Sequence, residues 1–271
     1  MKKPRRIPLS TEEIRSVQLG IMDAIDAFCT ERHIFYSLEG GSLLGAIRHK
    51  GFIPWDDDID LIMPRPDYDR FWKEFNEASD GTFKAVNYLV DDLFPHVLTR
   101  VMDTSTLAVD HNRTNRFGVF VDIAAVDGQP DDPAAFDEYV RTYGKLRKQL
   151  KKGTALWRCT DSPLVALKTL LRHPFYPSRQ KTVAALEAFF RSVPLGSTAH
   201  AGHINGGSDW KTHMPYKTFA ETERLPFEDR HYQCLKDYDT FLKTLYGDYM
   251  QLPPEKDRHP YHSVACYRLE K

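Results

Sequence analysis

The run Pro54-Trp55-Asp56-Asp57-Asp58-Ile59-Asp60 puts four carboxylates into five consecutive positions. As an extended strand it alternates: Asp56, Asp58 and Asp60 share one face, while Ile59 and Leu61 turn to the core. Two carboxylates about 5 Å apart repel by roughly 3 kcal/mol at an effective dielectric near 20. A cation between them removes that cost. Carboxylate oxygens with room left for phosphate and water suit Mg²⁺ or Mn²⁺. Asp57, of opposite parity, is expected to face elsewhere, toward a base such as Arg65. An EF-hand loop starting at Asp56 fails, because its sixth and twelfth positions would be Leu61 and Asp67 rather than Gly and Glu. An Asp-x-Asp of the kind that binds metal in nucleotide-sugar glycosyltransferases is also satisfied by residues 58–60. A plain acidic turn leaves the alternation of Ile59 and Leu61 unexplained.

Phosphate chemistry needs more than a metal. Gly40-Gly41-Ser42 lies between a predicted strand and a predicted helix start, where glycines admit a close phosphate and free N–H groups favour an anion. Arg48 and Lys50 bring positive charge beside the acidic run, as developing negative charge in phosphoryl transfer requires. A third carboxylate, Asp122, sits in the apolar run Gly118-Val119-Phe120-Val121-Asp122-Ile123, where an isolated ion is costly. It either joins the metal site or pairs with a base such as Arg100. Asp127, before Gly128, reads as a turn former.

Coarse periodicity supplies the elements that must hold these groups. Residues 10–29 read as an amphipathic helix N-capped by Thr11, with Ile14, Val17, Ile21, Ile25 and Phe28 on one face. Strands are expected at 34–38, 58–62, 82–89, 97–102 and 117–124. Helices are expected at 43–48, 67–76, 133–152, 163–172, 178–192 and 229–246. Strands thus gather before residue 130 and helices after it. That predicts an α+β chain, with a mixed-sheet lobe over 1–130 and a mainly helical part, 131–271, packed on it.

The stretch Gly40-Gly41-Ser42-Leu43-Leu44-Gly45-Ala46-Ile47-Arg48-His49-Lys50-Gly51-Phe52-Ile53-Pro54-Trp55-Asp56-Asp57-Asp58-Ile59-Asp60 closely resembles the signature of the LicD family. These are phosphocholine-type transferases of bacterial surface glycans, similar also to fukutin-related protein. Agreement returns at Phe120-Val121-Asp122-Ile123, Asp127-Gly128, Leu225-Pro226-Phe227-Glu228 and Tyr246-Gly247-Asp248-Tyr249-Met250, then Pro253-Pro254, and is weak over 130–215. Ala124-Ala125 stand where the family tends to have Phe-Pro.

The resemblance implies a nucleotidyltransferase-like fold. It implies Gly40, Gly41 and Ser42 at the phosphate turn, and Asp58, Asp60 and Asp122 as metal-holding catalytic carboxylates. Arg48 and Lys50 would stabilise the leaving phosphate, and Asp56 would make an outer-sphere contact. The implied reaction moves a phospho-alcohol from a CDP-alcohol such as CDP-choline to a glycan hydroxyl, or to a lipid-linked precursor, and releases CMP. A quaternary ammonium would favour aromatic walls, for which Tyr36, Trp55, Tyr68 and Trp72 are near in sequence. His259 and His262 fall within the resemblance near the C-terminus. A nucleotidyltransferase acting on an NTP, and a non-catalytic module binding an anionic polymer, are the competing readings.

The composition, 41% hydrophobic and 28% charged, excludes a disordered chain. Nothing reads as a membrane span or a secretory signal. The four cysteines, Cys29, Cys159, Cys234 and Cys266, are widely spaced, which fits a reducing cytoplasm. The near-neutral total hides an asymmetry. Residues 141–181 hold eleven Lys or Arg and one acid, so that segment can attract a glycan polyanion or the anionic inner face of a membrane. No module for sequence-specific nucleic-acid reading accompanies it.

Overall fold

A computed structural model describes residues 4–92, 94–110, 113–153, 178–204, 212–259 and 264–270. The predicted helix at 163–172, Cys159, His262 and much of the basic segment lie outside them. The chain opens with β1 (Arg5–Pro8) and α1 (Thr11–Arg32). Ser10, not Thr11, caps α1: its Oγ accepts from the Glu13 N–H while the Glu13 carboxylate accepts from the Ser10 N–H. That reciprocal pair satisfies two otherwise orphan donors. Then come β2 (Ser37–Leu38), α2 (Gly40–Arg48), β3 (Asp60–Pro64) and α3 (Arg65–Ala78). Strands β4 (Phe83–Asn87), β5 (Thr99–Asp103), β6 (Thr106–Asp110), β7 (Arg113–Phe117) and β8 (Phe120–Gln129) follow. Next are α4 (Pro133–Gly153), α5 (Arg179–Phe190), β9 (His200–Gly202) and β10 (Met214–Pro215). The remainder is β11 (Thr222–Phe227), β12 (Arg230–Leu235), α6 (Tyr238–Tyr246) and β13 (Val264–Glu270).

The class is α+β. The large mixed sheet runs β10-β9-β8-β3-β2-β12-β11, with β5 paired to β8 and β4 to β5. A second sheet, β1-β13-β6-β7, joins the two ends of the chain. Strands from both sides of residue 130 share the large sheet, since β9 pairs with β8 and β12 with β2. The region 229–246 expected as one helix splits into β12 and α6. Tyr232 and Cys234 alternate inward along β12, and Asp237 begins the helical turn that buries Phe241, Leu242 and Leu245.

Two apolar clusters support this frame. The larger packs α1, α2 and α6 around the sheet, with Ile21, Met22, Ile25, Leu43, Leu61, Val121 and Phe241 inaccessible to solvent or nearly so. The second joins α4 and α5 to the β4–β5 edge through Tyr139, Tyr143, Phe189, Phe94 and Leu98. Burying each such side chain is worth about 1.5–3 kcal/mol. Ile59 and Leu61 are 1% exposed, so the inward half of the expected alternation holds. Yet β3 begins only at Asp60. Residues 56–59 form an irregular loop, and strand parity does not govern where Asp56, Asp57 and Asp58 point.

Candidate active site

The acidic loop is held in place through its backbone. Arg15 on α1 donates from one guanidinium nitrogen to the carbonyls of Ile53, Pro54 and Asp56, each at 3.1 Å. Gln18, one turn on, donates to the Asp57 carbonyl at 2.9 Å. From the other side Glu228 accepts the Phe52 N–H at 3.0 Å, and its own N–H reaches the Lys50 carbonyl at 2.7 Å. Glu228 adopts φ +55°, a left-handed conformation that brings it over Gly51, where any Cβ would collide with its carboxylate.

So restrained, Asp56, Asp57 and Asp58 bring carboxylate oxygens within 4.8 Å of one another. This corrects the expectation for Asp57: it stays with its neighbours. Arg65 pairs instead with Asp127, through two hydrogen bonds of 2.7 and 2.6 Å. Asp127 is correspondingly no turn former but a strand residue, 4% exposed, whose buried charge needs that guanidinium.

Asp60 opens β3 and is tied to the start of α2. Its N–H donates to Ser42 Oγ at 3.0 Å, and its carbonyl accepts from the Glu39 N–H at 2.9 Å. Ser42 is therefore committed to the backbone. Across the parallel β3–β8 ladder, Asp60 stands opposite Asp122. Burial, followed by the charges of Asp58, Glu39, Asp122 and Asp56, pushes the Asp60 carboxyl well above its usual range. Of the two alternatives left open by sequence, the pairing with Arg100 is present: the guanidinium clamps both Asp122 oxygens at 2.7 Å, and Asp122 also stands opposite Asp60. The Arg100 guanidinium in turn sits over the Phe120 ring, its carbon 3.4 Å from the centroid.

Gly41 fits against this cluster. A Cβ there would stand 2.5 Å from Asp56 Oδ2, so only glycine lets that carboxylate lie on α2. Gly40 has φ +51°, and the Tyr246 hydroxyl lies 3.5 Å from where its Cβ would be. Here a cavity of about 680 Å³ opens, lined by Gly41, Arg48, Trp55, Asp56, Tyr246 and Arg258 among others. Arg48 donates to the Tyr249 carbonyl at 2.7 Å, and Arg258 covers the Trp55 ring at 5.6 Å. Burial lowers the Arg48 pKa; Tyr246 opposes that effect and the charge of Arg258 adds to it. Burial and the neighbouring Glu39, Asp56, Asp60 and Asp58 push the Tyr246 hydroxyl up.

The structure thus gathers Gly40, Gly41, Ser42, Asp56, Asp58, Asp60, Asp122 and Arg100, with Arg48 on the adjoining cavity. Lys50 is not brought in: it is exposed, and its Nζ rests on the Ile47 carbonyl at 3.1 Å. His259 does not line the cavity. Of the aromatic candidates only Trp55 does; Tyr36 and Tyr68 are 1% exposed core residues, and Trp72 packs against the core. Sequence reasoning missed Glu39, Tyr246 and Arg258. Glu39 adjoins the glycine turn, which was a usable signal. The other two come from a segment some 200 residues away.

Chemically, the carboxylates offer an all-oxygen donor set, which fits a hard divalent cation, and the cavity beside them is wide enough for a nucleotide-sized molecule. Residues 33–143 match the family model described as LicD/FKTN/FKRP, nucleotidyltransferase domain. The chain is 31% identical over 268 residues to the lipopolysaccharide cholinephosphotransferase LicD of Haemophilus influenzae, covering 96% of this chain and 99% of that protein. An uncharacterised protein of Rickettsia prowazekii is 34% identical over 70 residues, 22% of this chain and 26% of its own.

Proposed function

Since the chain belongs to the LicD family, we propose that it moves a phospho-alcohol, of the phosphocholine type, from a CDP-alcohol to a hydroxyl of a surface glycan or its lipid-linked precursor. The observation that carries this reading is the convergence of Glu39, Asp56, Asp58, Asp60 and Asp122 beside a cavity that also presents Arg48.

In this reading Asp58, Asp60 and Asp122 hold Mg²⁺ or Mn²⁺, which when bound neutralises diphosphate charge and polarises the phosphoryl oxygens. Arg100 orients Asp122 through its two-pronged bond, leaving that carboxylate a fixed geometry beside Asp60. Arg48, joined by Arg258, binds the phosphates from the cavity side, and Gly41 leaves room for Asp56 next to them. The acceptor oxygen forms its bond to the β-phosphorus as the bridging bond to CMP breaks, and the hydroxyl proton leaves to a carboxylate of the cluster. Positioning and electrostatics supply most of the catalysis in such transfers.

The same reading puts the reaction in the cytoplasm, in keeping with the widely spaced cysteines, and the basic face of α4 supports peripheral contact with an anionic inner leaflet. Arg141, Lys145 and Lys148 are exposed on it at helical spacing. Among the described residues, no helix is long and apolar enough to cross a membrane. Flotation on liposomes with and without anionic lipid tests the contact, and equal recovery on neutral vesicles refutes it.

The central test is CMP release from CDP-choline, CDP-ethanolamine, CDP-glycerol and CDP-ribitol, with Mg²⁺ or EDTA and with glycan acceptor present. Metal-dependent turnover of one donor, lost in Asp58→Asn/Asp60→Asn, is the expected result. Pyrophosphate release from an NTP, with no CMP from any of the four, would replace this reading with nucleotidyl transfer.

A further inference from the structure

The side of the acidic loop turned toward α1 has its own small cavity, about 50 Å³, lined by Ile14, Gln18, Asp57, Asp58, Phe120 and Cys266 among others. Gln18 is 3% exposed. Its Nε2 donates to the Asp57 carbonyl at 2.9 Å, and because a carbonyl only accepts, chemistry fixes which end of the amide is which. The other end, Oε1, is buried with no hydrogen-bond partner. An acceptor left so costs about 1–3 kcal/mol. It lies against a loop whose three carboxylates already approach within 4.8 Å of one another. Among the described residues, none lining this cavity is basic.

We infer that this pocket is a second cation site, holding one hard divalent ion between Gln18 Oε1 and carboxylate oxygens of Asp57 and Asp58. An unsatisfied amide oxygen and two carboxylates are ligands of one chemical kind, those that Mg²⁺, Mn²⁺ and Ca²⁺ prefer. The cavity has room for an ion and one or two waters at roughly 30 Å³ each, and none for a nucleotide. Its role follows from its place. Arg15 and Gln18 already fasten the loop to α1 by its carbonyls, and the ion fastens it by its carboxylates. That sets Asp58 between a structural cation and the cavity face of the site. The site goes beyond the proposed transfer reaction and does not depend on which donor is used.

The experiment counts bound Mn²⁺ on the full chain after EDTA treatment and desalting, by the electron paramagnetic resonance of the free ion. Gln18→Met removes the oxygen at nearly constant length; Asp57→Asn, at a half-buried position, guards against a folding defect in the first. Both are expected to bind one Mn²⁺ fewer than the parent chain and to lose part of the rise in Tm that Mn²⁺ brings. Asp60→Asn is expected to keep the ion that they lose. The same number of ions at the same affinity in the parent and in both variants, or no ion in the parent, overturns the proposal. Failure of CMP release across the donor panel leaves this count unchanged, so the two readings fail separately.

Discussion

Arg100 is where stability and chemistry meet, and Arg100→Met separates them. The guanidinium is 10% exposed, the Asp122 carboxylate 15%, and they meet through two contacts of 2.7 Å. Charge centres about 4 Å apart attract by about 4 kcal/mol at an effective dielectric near 20. Breaking one side of a buried pair costs about 3–5 kcal/mol, because the survivor stays charged and unpaired. Here the survivor is Asp122, directly across the ladder from Asp60, so like-charge repulsion adds to desolvation. Methionine keeps the length of the side chain and a favourable contact with the Phe120 ring, which confines the change to charge. Urea unfolding of the metal-free protein should show the loss of about 3–5 kcal/mol, or about 6–20 °C in Tm for a chain near this size. Metal-dependent CMP release should fall about 10–100-fold, the usual effect of removing a group that orients a metal ligand. The double variant Arg100→Met/Asp122→Asn should regain at least half of the stability and none of the activity. A single variant that costs under about 1 kcal/mol, or a double variant no more stable than the single, would show that the pair does not hold a buried charge and would refute the reasoning.

Three further perturbations probe the same frame. Asp60 has a folded-state pKa raised above the unfolded value near 3.9, so the folded chain keeps a proton that the unfolded chain releases. Stability in EDTA must therefore fall as pH rises from about 4 toward the raised pKa. Asp60→Asn should flatten that slope and be the more stable protein at pH 7, and an unchanged slope in urea midpoints would count against it. Gly41→Ala puts a methyl group 2.5 Å from Asp56 Oδ2. Because the atom displaced is the end of a side chain, Tm should move little while kcat/KM falls about 10–100-fold. Asp127→Ala should destabilise by about 3–5 kcal/mol, measured by urea unfolding, since among the described residues Asp69, at 3.7 Å, would be the one carboxylate left to Arg65.

Local pattern determined a good deal about this protein. The apolar spacing of Ile14, Ile21, Ile25 and Phe28 placed α1, because a helix buries every third or fourth residue wherever it packs. Asp58 and Asp60 stood out because neighbouring carboxylates repel unless a cation joins them, Asp122 because an ion is costly in an apolar run, and Gly40-Gly41 because glycines between a strand and a helix admit a close anion. Tertiary structure alone decided the rest. Asp57 joined its neighbours because Arg15 and Gln18 pull the loop out of strand geometry. Asp127 found Arg65 at the end of the neighbouring parallel strand, and Asp122 both met Asp60 and kept Arg100, none of which spacing can express. Residues 230–235 pair as a strand because β2 and β11 present edges for them. Arg48 is positioned by a carbonyl 201 residues away. A side chain's type and periodicity are local, but its partner is chosen by which distant segment closes the fold, and electrostatics and hydrogen bonding depend on that partner.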